Sequence, residues 1–424
     1  MLVYTVKRGD TLQSIALQTG AQEMHLRQLN GLAGTALTTG LNLLVPGPPH
    51  TLAAHRVQPK ETLDIIARQN GTTVDVLAAV NGLDTTAPLA IGQLLWVPMP
   101  VAAKRAIAAN GYLIPAGSQD RRVLRESAPL TMITVFSYHV NPNGSLTPVA
   151  DQRALAESSA LGLTPLLSVT NFDGHNFNTD LAHAILSDST KRLAVIDAID
   201  RTLELKGYHG VNIDFEHMQP DDRPLYNAFI AEVHQAVHAK GKSLSIALGP
   251  KTRNEPDAAW MGAFDYKALG VTVDFIMLMT YEWGWVGGPP MAVAPLDQVR
   301  AVLDYALSVI PAEKLLMGIP TYGYNWDVPH DPKSAPATGE SPLQAQNLAV
   351  QHGVPVHFHP LSASPMYRYR SGSQEHEVWY EDAKSLLAKF HLVYEMKLRG
   401  VSFWVLGQNF PQLWPLLADT FTVR

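Results

Sequence analysis

The sequence predicts an α/β fold: a (β/α)8 (TIM) barrel over residues 101–424, preceded by two small βααβ modules. Three observations carry this reading. Eight short, near-continuous apolar runs alternate with helical patterns over the last three quarters of the chain, as expected for a parallel sheet covered on both faces. The first hundred residues repeat themselves, which marks separate small units. One apolar run, Gly210–Glu216, also carries polar side chains on alternate positions. A buried strand has no packing reason to hold them.

The chain has 424 residues and is 46% hydrophobic, enough for a large core and for two or three domains. Its 32 basic and 38 acidic residues give a net charge of −6 and form no Lys/Arg block, which argues against nucleic acid as a partner. Cysteine is absent, excluding a disulfide framework or a thiolate metal site and leaving the redox compartment open. No apolar run reaches membrane-spanning length. Met-Leu-Val-Tyr-Thr-Val at the start lacks a charged segment followed by an apolar one, so no secretory signal is expected. Action at a cell wall, spore or extracellular polymer then needs another route of release. A monomer is expected.

Tyr4-Thr5-Val6-Lys7-Arg8-Gly9-Asp10-Thr11-Leu12 recurs as His55-Arg56-Val57-Gln58-Pro59-Lys60-Glu61-Thr62-Leu63. Asn30-Gly31-Leu32 recurs as Asn81-Gly82-Leu83, and Leu43-Leu44-Val45-Pro46 as Leu95-Trp96-Val97-Pro98. The offset of 51 becomes 52 late in the unit, so one residue is inserted in a loop. Each copy reads as strand, Thr-capped helix, second helix and strand. The copies, residues 1–47 and 53–100, resemble LysM modules, which bind N-acetylglucosamine polymers. In the second, Lys60-Glu61 replaces the Gly-Asp turn, putting its geometry in question. Pro46-Gly47-Pro48-Pro49 reads as a stiff linker, and Pro98-Met99-Pro100 closes the second copy.

Candidate strands follow at Gly111–Pro115, Met132–Tyr138, Pro165–Val169, Gly210–Glu216, Ser243–Leu248, Phe275–Thr280, Leu315–Ile319 and Gly400–Val405. Helical patterns include Asp188–Lys206, Pro224–Lys240, Leu296–Ile310 and Glu381–Leu398. A doubly wound sheet is the alternative arrangement of these elements. Residues 325–378 break the alternation and are too long for a structureless loop. They read as a small α+β insertion after the seventh strand.

In Gly210–Glu216, Val211, Ile213 and Phe215 face one way and Asn212, Asp214 and Glu216 the other. Same-face neighbours on a strand lie about 7 Å apart, so the polar groups form a row. An acidic edge strand facing water is the structural alternative. The stretch resembles the Asp-Gly-x-Asp-x-Asp-x-Glu signature of family 18 glycoside hydrolases, the chitinase family. Gly210, Asp214 and Glu216 match it, while His209 and Asn212 replace its first two acids. The form Gly-Val-Asn-Ile-Asp-Phe-Glu is most similar to the branch of spore cortex-lytic N-acetylglucosaminidases. Two further matches fall at the proper strands. Met279-Thr280-Tyr281-Glu282 after strand six resembles the family's Met-x-Tyr-Asp, with Glu282 for Asp. Ser402-Phe403-Trp404 on strand eight matches the tryptophan floor of the sugar site.

The resemblance implies roles. Glu216 protonates the leaving oxygen; Asp214 holds it protonated and orients the substrate's acetamido group, whose oxygen is the nucleophile; Tyr281 steadies that oxygen. Trp404 is a sugar platform or a core aromatic. Tyr112, Tyr138, Tyr322 and Trp326 are weaker platform candidates, and Asn171 binds a hydroxyl or caps its loop. Asn212, Met279 and Glu282 complete the expected binding set. Sixteen histidines raise the question of a metal; His357 and His359 share a strand face without a third ligand, so neither a metal nor another cofactor is expected. The function expected is retaining hydrolysis after N-acetylglucosamine in peptidoglycan or chitin. A chitinase confined to chitin oligomers and a non-catalytic lectin are the alternatives.

Overall fold

The computed structural model describes residues 1–47, 51–81, 83–99, 104–331 and 336–424. Pro48 and Pro49 of the linker, Gly82 and Pro100 lie outside them. Both repeats have the expected order. Leu2–Thr5 pairs antiparallel with Asn42–Val45 around helices Leu12–Thr19 and Glu23–Leu29. Thr51–Arg56 pairs likewise with Leu94–Met99 around Leu63–Gln69 and Val74–Asn81. The divergent turn keeps its geometry. Lys60 takes the positive φ of Gly9, 71° against 90°, and Glu61 accepts the Gln58 N–H at 2.7 Å as Asp10 accepts that of Lys7 at 2.7 Å. The longer acid makes the same brace, and Lys60 bears strain that glycine avoids.

The barrel strands are β1 (Ala106–Leu113), β2 (Met132–Val140), β3 (Thr164–Thr170), β4 (Gly210–Asp214), β5 (Ser243–Leu248), β6 (Phe275–Leu278), β7 (Leu315–Pro320) and β8 (Gly400–Trp404). Each pairs in parallel with the next, and β8 pairs with β1, so the sheet closes and a doubly wound arrangement is ruled out. Strand β1 starts five residues before the expected Gly111; Ala106-Ile107-Ala108-Ala109 has β-branched bulk only at Ile107, so its composition gives no strand signal there. The ladder of β4 ends at Asp214, so Glu216 stands beyond the strand. Helices Ser189–Lys206, Arg223–His238, Leu296–Val309 and Ala383–Glu395 lie where helical periodicity placed them. Among the described residues no helix is long and apolar enough to cross a membrane.

The insertion is a five-stranded antiparallel sheet, ordered Thr338–Glu340, Gly323–Val328, Gln374–Trp379, Ser364–Ser371, His357–His359, with helix Pro342–His352 packed on it. Its core is continuous with that of the first repeat. The second repeat has its own core and meets the barrel through Trp96, whose ring lies 4.4 Å from that of His391 and 6.0 Å from that of Tyr394.

Where the insertion returns to the barrel, Glu381 and Lys389 form a buried ion pair, with Lys389 Nζ 2.9 Å from both carboxylate oxygens. Removing one member of such a pair strands the other charge in low dielectric. The variant Lys389→Met should lower unfolding free energy by about 3 kcal/mol at pH 7. Burial already pushes the Glu381 carboxyl up. Without Lys389 the folded state will hold a proton there that the unfolded chain releases, so part of the loss should return as pH falls toward 5. Denaturant titrations at the two pH values check this; equal losses at both would contradict it.

Candidate active site

The C-terminal ends of the barrel strands converge on a cavity of about 290 Å³. Strand β4 delivers Asp214, only 4% exposed, and the chain then carries Glu216 over the rim. Asn171, fully buried after β3, clamps the backbone there. Its Oδ1 accepts the Glu216 N–H at 2.9 Å, and its Nδ2 donates to the Glu216 carbonyl at 2.9 Å. Thr179 Oγ1 donates to the next carbonyl, of His217, at 2.6 Å. Two carboxyls that a free strand end would leave mobile are thereby held in place.

Their electrostatics follow from burial. Desolvation pushes the Asp214 carboxyl up to about 7. Burial, then the charges of Asp214 and Glu282, raise Glu216 well above the usual carboxylate range. Two such groups cannot both ionise near neutral pH at low cost, so the site retains a proton. Asp214 Oδ1 is buried with no hydrogen-bond partner among the described residues, and Asp214 lines the cavity. Tyr281 follows β6, and its phenol is raised by burial and then by Asp214, Glu216 and Glu282, keeping it a donor. Its ring lies over Gly318 of β7, where a Cβ would come 2.8 Å from Tyr281 Cε1.

Trp404 ends β8 and lies edge-on to Tyr112 at 5.5 Å and to Phe136 at 4.8 Å. Beside Glu216 the cavity is walled by Phe177, His217 and Trp260, with His217 stacked on Trp260 at 5.1 Å and 14°. Past Trp404 it opens into a second pocket of about 470 Å³, lined by Tyr322, Tyr324, Glu340, Ser341, Gln344 and Gln408. Glu282 borders both spaces. It is exposed at the lip and takes hydrogen bonds from Tyr322 Oη and Tyr324 Oη, the latter at 3.0 Å.

The structure thus brings together Glu216, Asp214, Tyr281, Trp404, Met279, Glu282 and Tyr112, with Tyr322 in the adjoining pocket. Four others go elsewhere. Asn212 points into the barrel below Asp214, accepting from Tyr112 Oη at 2.9 Å and donating to Ser245 Oγ at 3.1 Å. Asn171 contacts backbone rather than the cavity. Trp326 is buried in the insertion and donates to the Gly288 carbonyl at 2.8 Å. Tyr138 faces the outer core, donating to Asp151 at 2.6 Å. A register shift between Val135 and Tyr138 turns Phe136 inward instead.

His209 is exposed at the opposite, N-terminal end of β4, too far away to relay a proton to Asp214. His357 and His359 lie exposed on their insertion strand. Among the described residues, the His/acid group within ligand reach is His234, His238 and Asp274, at the N-terminal end of the barrel. There Asp274 is engaged by His238 at 2.9 Å and by the Leu244 N–H at 2.7 Å. Sequence reasoning missed Phe136, Phe177, His217 and Trp260. The signal for Trp260 was a large aromatic in the long loop after β5, where a barrel presents its site.

Comparison with known proteins agrees with this geometry. Residues 111–409 match the model for glycosyl hydrolases family 18, and residues 4–46 and 55–98 match the LysM domain. The chain is 38% identical to the cortical fragment-lytic enzyme of Bacillus subtilis strain 168, covering 100% of this chain and 99% of that one. The crystal structure of the Bacillus cereus spore cortex-lytic enzyme SleL superposes with a TM-score of 0.85 at 34% identity, over 100% of this chain and 98% of that one. That of a chitinase from Chromobacterium violaceum gives 0.69 at 25% identity, over 75% of this chain and 100% of that one.

Two outcomes are expected from the geometry. Asn171→Ala should lower kcat by about 100-fold with KM little changed, because a displacement near 1 Å misaligns a proton donor; steady-state kinetics decide, and an unchanged kcat would remove Asn171 from this role. If Glu216 is the proton donor, activity should fall as pH rises through its pKa. Removing the Glu282 charge lowers that pKa, and Glu282→Gln should therefore move the alkaline limb of the kcat/KM profile to lower pH. A limb that stays put or moves upward would refute the coupling.

Proposed function

The chain belongs to glycosyl hydrolase family 18 and is a glycosidase, and on that premise we propose that it cleaves the β-1,4 bond after N-acetylglucosamine in peptidoglycan, with retention and with the substrate's acetamido group as nucleophile. The observation that carries the reading is Asp214, a carboxyl with a buried, unpartnered Oδ1 that lines one cavity with Glu216 and Tyr281. A buried acceptor without a partner costs a folded protein about 1–3 kcal/mol unless a ligand satisfies it. An acetamido N–H has the needed character. Bound by Asp214, it turns its carbonyl oxygen toward the anomeric carbon, and Tyr281 donates to that oxygen as charge develops.

Glu216 then gives its proton to the departing oxygen, and the sugar closes on its own acetamido oxygen to form an oxazolinium ring. As its proton leaves, Glu216 takes up the negative charge beside Asp214 and stands ready to accept a proton in the next step. Water, deprotonated by Glu216, opens the ring from the face the leaving group vacated, so configuration is retained. Trp404, edge-packed by Tyr112 and Phe136, is the floor on which the sugar ring stacks.

Support for peptidoglycan comes from likeness along the whole chain to enzymes named as cortex-lytic. The LysM repeats fit any N-acetylglucosamine-containing polymer. The likeness to a bacterial chitinase over the barrel keeps chitin as the second reading. A cavity of about 290 Å³ with close aromatic walls favours the slimmer N-acetylglucosamine in the reacting position. Muramic acid, with its lactyl arm, belongs on the leaving side.

Digestion of purified peptidoglycan and of chitin oligomers, with product analysis, tests the assignment. New reducing ends in peptidoglycan should be N-acetylglucosamine with β configuration. Muramic reducing ends would overturn the placement of the sugars, and an inverted product the acetamido route. Glu216→Gln should reduce turnover at least about 1,000-fold while polymer binding persists, since glutamine fills the space but delivers no proton. Substantial residual turnover would place the acid elsewhere.

A further inference from the structure

Helix Pro342–His352 of the insertion stands between the cleft and the first repeat. Its N-terminal turn gives Ser341 and Gln344 to the pocket past Trp404. Its other side is occupied by the repeat. Leu343 fills the space over Gly31, where a Cβ would lie 2.8 Å from Leu343 Cδ1. Gln346 Nε2 donates to the Asn30 carbonyl at 2.9 Å. Ala345 and Ala349 join one apolar cluster with Leu12, Ile15 and Leu26 of the repeat. The contact continues beyond the helix: the Val356 N–H donates to the Thr39 carbonyl at 2.9 Å, and Thr38 Oγ1 to the Val354 carbonyl at 2.7 Å. A buried polar seam locks the far end. Gln412 Nε2 donates to Asn30 Oδ1 at 2.7 Å and to the Asn42 carbonyl at 2.9 Å, while Asn42 Nδ2 donates to Asp382 at 2.6 Å.

We propose that the first repeat is a fixed part of the catalytic unit, positioning the glycone-side wall of the cleft through Asn30, Leu343 and Gln346. The proposal rests on the glycosidase reading, which sets the direction of the bound chain. Glu216 and the Phe177–His217–Trp260 wall mark the leaving-group side, so the pocket past Trp404 receives the glycone. Leu343 and Gln346 lie within one helical turn of Ser341 and Gln344, which line that pocket. A separable binding module would not share a dry core with the enzyme it serves. The second repeat makes the contrast: its matching loop, Asp84–Ile91, is largely solvent-exposed, with Ile91 72% exposed.

Deleting residues 1–47 would bare the shared core and could simply unfold the enzyme, so point variants in the full chain are the better probe. Gln346→Ala removes the donor to Asn30, and Leu343→Ala opens the packing over Gly31; neither side chain is in the catalytic machinery. Each variant is assayed on two soluble fluorogenic aryl glycosides carrying one or three N-acetylglucosamine units. With three units, kcat/KM should fall about tenfold, mostly through KM, because remote binding is lost. With one unit it should stay within about twofold. The ratio between substrates does not depend on the fraction of folded enzyme, so lost stability alone leaves it unchanged. An unchanged ratio, or equal activity of variant and parent on the longer substrate, overturns the proposal. Failure of the parent enzyme to cleave either glycoside would instead count against the glycosidase direction assumed here.

Discussion

Two carboxyls, Asp214 and Glu216, are kept dry and close together at the end of one strand, and much of the molecule follows from that constraint. Desolvation raises both, and the charges of Asp214 and Glu282 raise Glu216 further. Water reaching the strand end would return each toward an ordinary carboxylate and leave no acid at neutral pH. A closed barrel filled with side chains provides the dry floor, and aromatic side walls from three loops narrow the mouth. The Asn171 clamp matters for the same reason. Glu216 has left the ladder, so only a side chain can supply its backbone with partners in a place that excludes water.

Below the pair the barrel interior is polar but neutral. Thr134 Oγ1 donates to Asn110 Oδ1 at 3.0 Å, Asn110 Nδ2 to Ser402 Oγ at 2.9 Å, and Asn212 bridges Tyr112 and Ser245. Asn212 stands where the family signature has an acid. A carboxylate there would add a third negative charge against Asp214 and would accept the Tyr112 proton more strongly. With an amide, Asp214 is raised by desolvation alone. The balance of the proton between Asp214 and Glu216 is then set by those two groups and by Glu282 at the lip.

Much of this was legible in the sequence. The eight strands lie at or near the apolar runs because strands buried on both faces need continuous apolar sequence, a strong signal. Glu216, Asp214, Tyr281 and Trp404 were singled out because the family signature falls on them at or just past strand ends, and the structure brings all four to one cavity. Direction of a side chain was harder. Tyr138 was misplaced by a register irregularity that no local pattern announces. Asn171 was read as a sugar ligand or a loop cap; it does hold its own loop, donating to the Asn178 carbonyl at 3.1 Å, but it also grips backbone 45 residues away, which local sequence does not show. Trp326 belongs to a sheet whose pairing joins distant segments. His217 and Trp260 form a wall only after two loops meet, and neither loop alone carries the periodicity from which inward direction is read.

The two repeats show why likeness of sequence did not reveal difference of role. Each has a glycine just before its last strand, Gly40 with φ of 88° and Gly92 with φ of 82°. The turn demands that conformation in both, so glycine is present in both. Around Gly92 a Cβ would meet nothing within 4 Å, whereas at Gly40 it would lie 1.8 Å from the Val356 carbonyl oxygen. A residue required for backbone reasons in each copy leaves a gap in each, and the insertion occupies one of them. The same holds for Asn30 and Asn81. Both side chains bridge the second helix and the last strand of their own module, Asn30 to the Leu26 and Leu44 carbonyls and Asn81 to those of Leu77 and Trp96. Asn30 is also gripped by Gln346 and Gln412 from the barrel side. Docking could therefore arise on the features that make the module fold, changing few of the residues by which the repeat is recognised.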